Sequence, residues 1–400
     1  MDTDHARELV ESGTLDLLDG ELYAGDPEPV YAYLRAHHPV YWDTTNELFG
    51  ISRYRDIVEI EKDAATWVNS AGYRPNIAAD ASIIGLDDPV HTERRRLVAR
   101  RFTPRAVTSH AELVRTQVDD LIDVVATRGA AEVIAELAAP LPARMIGHLL
   151  GFPPDATDDL VRWSSTTIAL GGGPRYFNDE GILAAAEFGG AALDVAADRR
   201  GCPADDLMSI WTQAEIGGCP LSDDDLASDA LLLLDGGAET TRTVIANGID
   251  AFIANPDQRE LLRREPERTT VAVEELIRWT TPVLNMCRVA SKDTSIGGVD
   301  VKAGQQVVLM YSSANRDEDI FEESQRFDIT RHPNPHVAFG FGTHFCLGTS
   351  LARLELRIMF EQLVTRLDDW AYADEIGPRR LPNAFVRGIT EFPITFTAIA

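Results

Sequence analysis

Phe339-Gly340-Phe341-Gly342-Thr343-His344-Phe345-Cys346-Leu347-Gly348 places a single cysteine among glycines and aromatics, close to the C-terminus. Leu347, Leu351, Leu354 and Ile358 then recur at spacings of four, three and four, which predicts a helix beginning at or just after Cys346. The thiol is therefore expected at a helix N-terminus, where free backbone N–H groups and the positive end of the dipole favour a thiolate. Gly342 and Gly348 permit tight turns and close approach to something flat, with Phe339 and Phe345 beside it.

Upstream, Ser222-Asp223-Asp224-Asp225 fits a capping box, and the helical pattern runs to about Ala254, where Asn255-Pro256 stops it. About thirty residues at 1.5 Å each span roughly 45 Å, enough to cross a domain. Leu231 to Leu234 is apolar on all sides, so this helix is expected to be buried. Into it the sequence sets Asp235-Gly236-Gly237-Ala238-Glu239-Thr240-Thr241. Each helical glycine costs about 1 kcal/mol relative to alanine, and buried Asp235 and Glu239 need partners or shifted pKa values. A local cost without a folding benefit points to function. The missing side chains at Gly236 and Gly237 let a flat cofactor and a small ligand approach the backbone. Thr240 is placed to bond back to a preceding carbonyl.

Two further stretches stand out. Glu275-Leu276-Ile277-Arg278 sets Glu and Arg three apart on a helix ending before Pro282, a spacing that is usually a surface pair. Asp87-Asp88-Pro89 opens a helix with His91 and Arg95 on one face, inside a run of six arginines (Arg94, Arg95, Arg96, Arg100, Arg101, Arg105). A solvated helix face is the plain alternative for such a run, but the local basic patch contrasts with a net charge of −27.

A thiolate on a Gly-rich loop is what axial ligation of a haem iron requires, the alternative being a small buried cysteine. The spacing F-x-x-G-x-x-x-C-x-G resembles the haem-binding signature of the cytochrome P450 family. The Gly-Gly-Ala-Glu-Thr stretch resembles that family's oxygen-activation motif, with Asp235 departing from an apolar position. The resemblance implies a mainly α fold with a minor β part, a triangular helical prism with a long central distal helix. It implies haem b with Cys346 as the metal ligand. His91, Arg95, Arg288 and His344 would reach the propionates, and Gly236, Gly237, Phe339 and Gly348 would lie at the cofactor. Glu239 and Thr240 would relay protons during dioxygen activation. Glu275 and Arg278, completed by Arg326 or Arg331, would lock the proximal loop. Electrons would come from NAD(P)H through a ferredoxin docked near Arg94, Arg96, Arg100 and Arg101.

Within the family, Thr281 to Arg288, Ser313 to Glu318 and Asn334 to Cys346 look similar to actinobacterial steroid side-chain and branched-lipid hydroxylases. The implied reaction is hydroxylation of an unactivated C–H bond, with a cholest-4-en-3-one-type side chain as one substrate and a terpenoid, fatty acid or secondary metabolite as the alternative. Expected pocket residues are Tyr73, Ile84, Leu233, Asp235, Val283, Leu284, Met286 and Val386, with Arg387 as a second polar anchor beside Asp235. A peroxide-driven peroxygenase and a non-catalytic haem sensor are the rivals; neither needs the Glu239-Thr240 pair.

Composition agrees. At 44% hydrophobic and 25% charged the 400 residues are ordinary globular material, read as one continuous domain (1–400) and a monomer. The negative charge argues against nucleic acid. Cys202, Cys219, Cys287 and Cys346 are too dispersed for a disulfide framework or zinc site. With no signal peptide or apolar span in view, a cytoplasmic protein without a membrane anchor is expected. Gly171-Gly172-Gly173 reads as either a connection or a substrate lid.

Overall fold

The computed structural model describes residues 1–399, and helices dominate them, with several small sheets. No described helix is long and apolar enough to cross a membrane.

The largest sheet begins with the antiparallel hairpin β1 (Val40–Asp43) and β2 (Leu48–Ile51). Helix α1 (Tyr54–Lys62) follows and leads into the short β3 (Trp67–Val68). The basic run forms α2 (Val90–Ala99) and the turn after it. Helix α3 (Pro140–Leu150) and helix α4 (Thr157–Thr167) come next, and the triple glycine then forms a 3-10 turn over Ile168–Gly172. There Gly171 makes room for a neighbour: a Cβ would fall 1.8 Å from an Arg74 guanidinium nitrogen.

The distal helix is built as the sequence predicts, with one refinement. Ser222 and Asp225 form a reciprocal capping box at the start of α5 (Asp223–Leu234). The backbone then widens to a π-helical turn at Asp235–Glu239 before continuing as α6 (Thr240–Ala254). Such turns are frequent at functional sites. Around α6 pack α3, α7 (Thr269–Thr280) and the C-terminal α9, described below, burying Val244, Ile245, Ile249 and Phe252 in the main core.

Strands β4 (Met286–Ala290) and β5 (Gln306–Leu309) complete the sheet, in the order β1-β2-β5-β4-β3. Strand β5 is parallel to β2 and antiparallel to β4. Alternation along β4 turns Met286 and Arg288 toward one side and Cys287 toward the cluster behind the sheet. The short helix α8 (Tyr311–Ala314) follows β5 directly, and α9 (Thr349–Arg366) follows the cysteine loop.

Candidate active site

Three elements meet around one cavity: the cysteine loop, the π-helical turn and strand β4. In the loop, Gly340 and Gly342 adopt φ of 68° and 71°. A side chain at Gly342 would also collide with the Glu61 carbonyl, 2.1 Å from its Cβ position. Gly348, in contrast, has an ordinary φ of −81° and caps α9. The turning expected of Gly342 and Gly348 is thus done by Gly340 and Gly342. The Cys346 N–H closes the loop on the Phe339 carbonyl at 2.9 Å.

Cys346 borders the cavity, and the amides of Gly348 and Thr349 favour its thiolate, as do Arg95 and Arg353. Burial outweighs them and pushes the thiol up. The helix terminus and the two arginines thus work against burial, and a bound cation would favour the thiolate further.

One edge of the cavity gathers the groups expected at propionates. Arg95 donates to the Phe345 carbonyl, and the rings of His91 and His344 lie 4.1 Å apart. Both His91 ring nitrogens are buried without a hydrogen-bond partner. Burial, with Arg288, His91 and Arg95 close by, lowers His344 to about 2, and burial likewise lowers His91. Two imidazoles and two guanidiniums converging on one edge are the donor set for a pair of carboxylate arms. A thiol on one face, helix backbone bared by glycine on the other and this donor corner at the rim fit a haem. When bound, haem supplies the redox-active iron for dioxygen activation.

On the distal side, Gly236 and Gly237 both border the cavity but differ in surroundings. A Cβ on Gly236 would meet nothing within 4 Å, whereas one on Gly237 would lie 2.3 Å from the Ile146 Cδ1. Thr240 borders the cavity and donates to the Gly236 carbonyl at 2.6 Å, the back-bond read from the sequence. Glu239 is buried outside the cavity lining, paired with Arg242 at 3.0 Å; Arg242 also donates to Ser165 and the Ile389 carbonyl. Burial raises the Glu239 pKa and Arg242 opposes the rise. Arg242 was visible in the sequence three residues after Glu239; Ser165 had no local signal.

Of the expected pocket residues, Ile84, Leu233, Val283 and Met286 line the cavity, joined by Ile83, Phe102, Ile146 and Val244. The other four do not. The Tyr73 hydroxyl donates to Asp80 at 2.6 Å. Leu284 packs behind the sheet with Cys287 and Val308. Val386 sits behind Val283, with which it forms a β-bridge. Asp235 accepts from the Thr167 hydroxyl at 2.6 Å and ties the distal helix to α4. Arg387 lies outside the lining as well.

The Glu275–Arg278 pair is fully buried rather than on the surface. Arg278 donates to the carbonyls of Asn315, Ser324 and Arg326, and Glu275 accepts from Arg331 and Asn334. The pair pins the chain leading into the cysteine loop. Arg331 enters this network with its side chain, whereas Arg326 gives only its carbonyl and turns its side chain to exposed Glu323. Arg94 departs from its expected role on a docking face. It is 3% exposed, donating to Asp225 and Asp229, because the acidic start of α5 faces α2. Arg96 and Arg100 are exposed, and Arg101 pairs with Asp205.

Known proteins are similar to this chain along most of its length. A cytochrome P450 family model matches residues 203–375. A steroid C26-monooxygenase of Mycobacterium tuberculosis is 40% identical over 97% of this chain and 98% of its own length. One from Mycolicibacterium smegmatis is 38% identical over 96% of this chain and 97% of its own length. Among solved structures, a Mycobacterium marinum cytochrome P450 in complex with pseudoionone superposes with a TM-score of 0.89 at 33% identity, covering 96% of this chain and 98% of that one. A Bacillus megaterium enzyme in complex with testosterone gives 0.86 at 29% identity, covering 94% and 99%. With such likeness along nearly its whole length, the chain belongs to the cytochrome P450 family of haem-dependent monooxygenases.

Proposed function

We propose that the enzyme hydroxylates an unactivated C–H bond on the side chain of a sterol-like lipid, with haem b as cofactor and electrons from NAD(P)H delivered by a ferredoxin. The observation that carries the substrate class is the cavity wall. Beyond the donor corner it is built mainly from apolar residues, among them Ile83, Ile84, Leu232, Leu233, Val244 and Met286, with buried Glu355 of α9 as a titratable side chain in the lining. Such a surface rewards an apolar chain and offers nothing to a sugar or nucleotide. The relatives named for steroid C26 oxidation support the sterol reading.

In this reading Thr240 holds a proton at Oγ1 on the cavity wall, and Glu239, held outside by Arg242, supplies its replacement. The apolar wall excludes water from the reacting bond. Electrons enter on the side of the cysteine loop. Arg96, Arg100, Arg105 and Lys62 are exposed in an otherwise acidic protein, as are Phe341 and Phe345 of the loop, with Lys62 over the Phe341 ring. Exposed cations around aromatic anchors suit an acidic partner protein.

The test is turnover of cholest-4-en-3-one with ferredoxin, ferredoxin reductase and NAD(P)H. Hydroxylation of the terminal side-chain methyl is expected. Conversion of a small terpenoid or a fatty acid with none of the sterol would contradict the substrate class. Equal product with hydrogen peroxide in place of the redox chain would favour a peroxygenase.

A further inference from the structure

One charged group in the donor corner has no place in the roles described so far. Glu61, at the C-terminal end of α1, is 4% exposed and borders the cavity. Its Oε1 accepts from Arg288 Nη2 at 3.0 Å and from the Tyr311 hydroxyl at 2.6 Å. Its Oε2 is buried without a hydrogen-bond partner; burial raises the carboxyl's pKa, and Arg288, the Tyr311 hydroxyl and the Phe341 amide oppose the rise. Arg288 spends another N–H on the Cys287 carbonyl at 2.8 Å. A buried carboxylate with a bare oxygen is expensive, and apolar or neutral residues would fill the same space without that cost.

We propose that Glu61 is a positioning residue for haem: it divides the charge of Arg288 between itself and the propionate that this arginine faces, and thereby holds the iron's reduction potential down. The physical reason is direct. A buried negative charge near the cofactor disfavours adding an electron, and an arginine shared between two carboxylates neutralises each less completely. The proposal rests on the Cys346-ligated haem; wild-type protein that binds no haem would fail that reading rather than this one.

Potentiometric titration of the haem-loaded enzyme tests it, with haem transfer to an apo-globin acceptor as a second readout. Glu61→Gln keeps the shape and an oxygen for Tyr311 but removes the charge. It is expected to shift the ferric–ferrous equilibrium about tenfold toward ferrous, about 59 mV for one electron. Haem loss should slow several-fold, because Arg288 is freed for the propionate. Glu61→Asp, which keeps the charge, should stay within about twofold of wild type in that equilibrium. An unchanged potential in folded Glu61→Gln, whatever its thermal stability, would overturn the proposal and leave Glu61 as a brace between α1 and β4. Should Glu61→Gln not fold, Tyr311→Phe decides. Loss of the phenol donor pushes the carboxyl toward its neutral form, so the potential should rise; an unchanged potential there overturns the proposal equally.

Discussion

Asp235 and Thr240 sit on one helix, yet the cavity meets only the threonine. For Thr240→Ala we expect product formation to fall on the order of 100-fold, as for loss of a general acid–base group. NAD(P)H consumption should fall much less, and the ratio of product to NAD(P)H consumed is the measurement. Asp235 gives a stability prediction. Burial raises its pKa to about 7 against an ordinary 3.8, with the Thr167 hydrogen bond opposing. Between those two values the unfolded chain has lost a proton that the folded chain keeps. Stability therefore falls as pH rises from about 4 to about 7 and is flat above. Asp235→Asn, which still accepts from Thr167, removes that slope. Its advantage over wild type should vanish near pH 4 and grow toward pH 7, to at most the order of 4 kcal/mol. Thermal midpoints of the two proteins that run parallel across this range would contradict the assignment.

At the scale of elements, the distal helix separates what is local from what is not. The capping box, the stop at Asn255-Pro256 and the Thr240 back-bond are interactions within a few residues, and the sequence displays them. Both glycines border the cavity, but Gly237 alone of the two is packed against Ile146, about ninety residues away, and no local pattern carries that. The two positions therefore predict opposite outcomes. Gly237→Val forces Ile146 aside and should cost about 1–3 kcal/mol by overpacking. Gly236→Val meets no clash and gains slightly in helix propensity, so its stability should stay within about 1 kcal/mol of wild type, but it should weaken substrate binding by occupying the cavity. Urea unfolding and substrate titration of both variants separate the effects. The Glu275–Arg278 pair teaches the same lesson: its spacing was legible, whereas its complete burial under the Asn315–Asn334 segment was not.

Across the whole molecule, the motifs that identify the family lie in loops and helix turns whose chemistry is read residue by residue. The errors lie where distant segments meet. Arg94 is buried because Asp229 lies opposite, and Glu61 enters the donor corner through Arg288 and Tyr311, more than two hundred residues further on. Tyr73, Leu284 and Val386 are apolar-rich neighbours of the cavity whose directions are fixed by tertiary packing, not by hydrophobicity. Everything in the account nonetheless depends on one bond, between the Cys346 sulfur and the iron. Its most direct test is the absorption spectrum of purified, dithionite-reduced protein under carbon monoxide. The account predicts the red-shifted Soret band of a thiolate-ligated haem, lost in Cys346→Ala. A band of the histidine-ligated type, or no haem at all in protein that is otherwise folded, would contradict it.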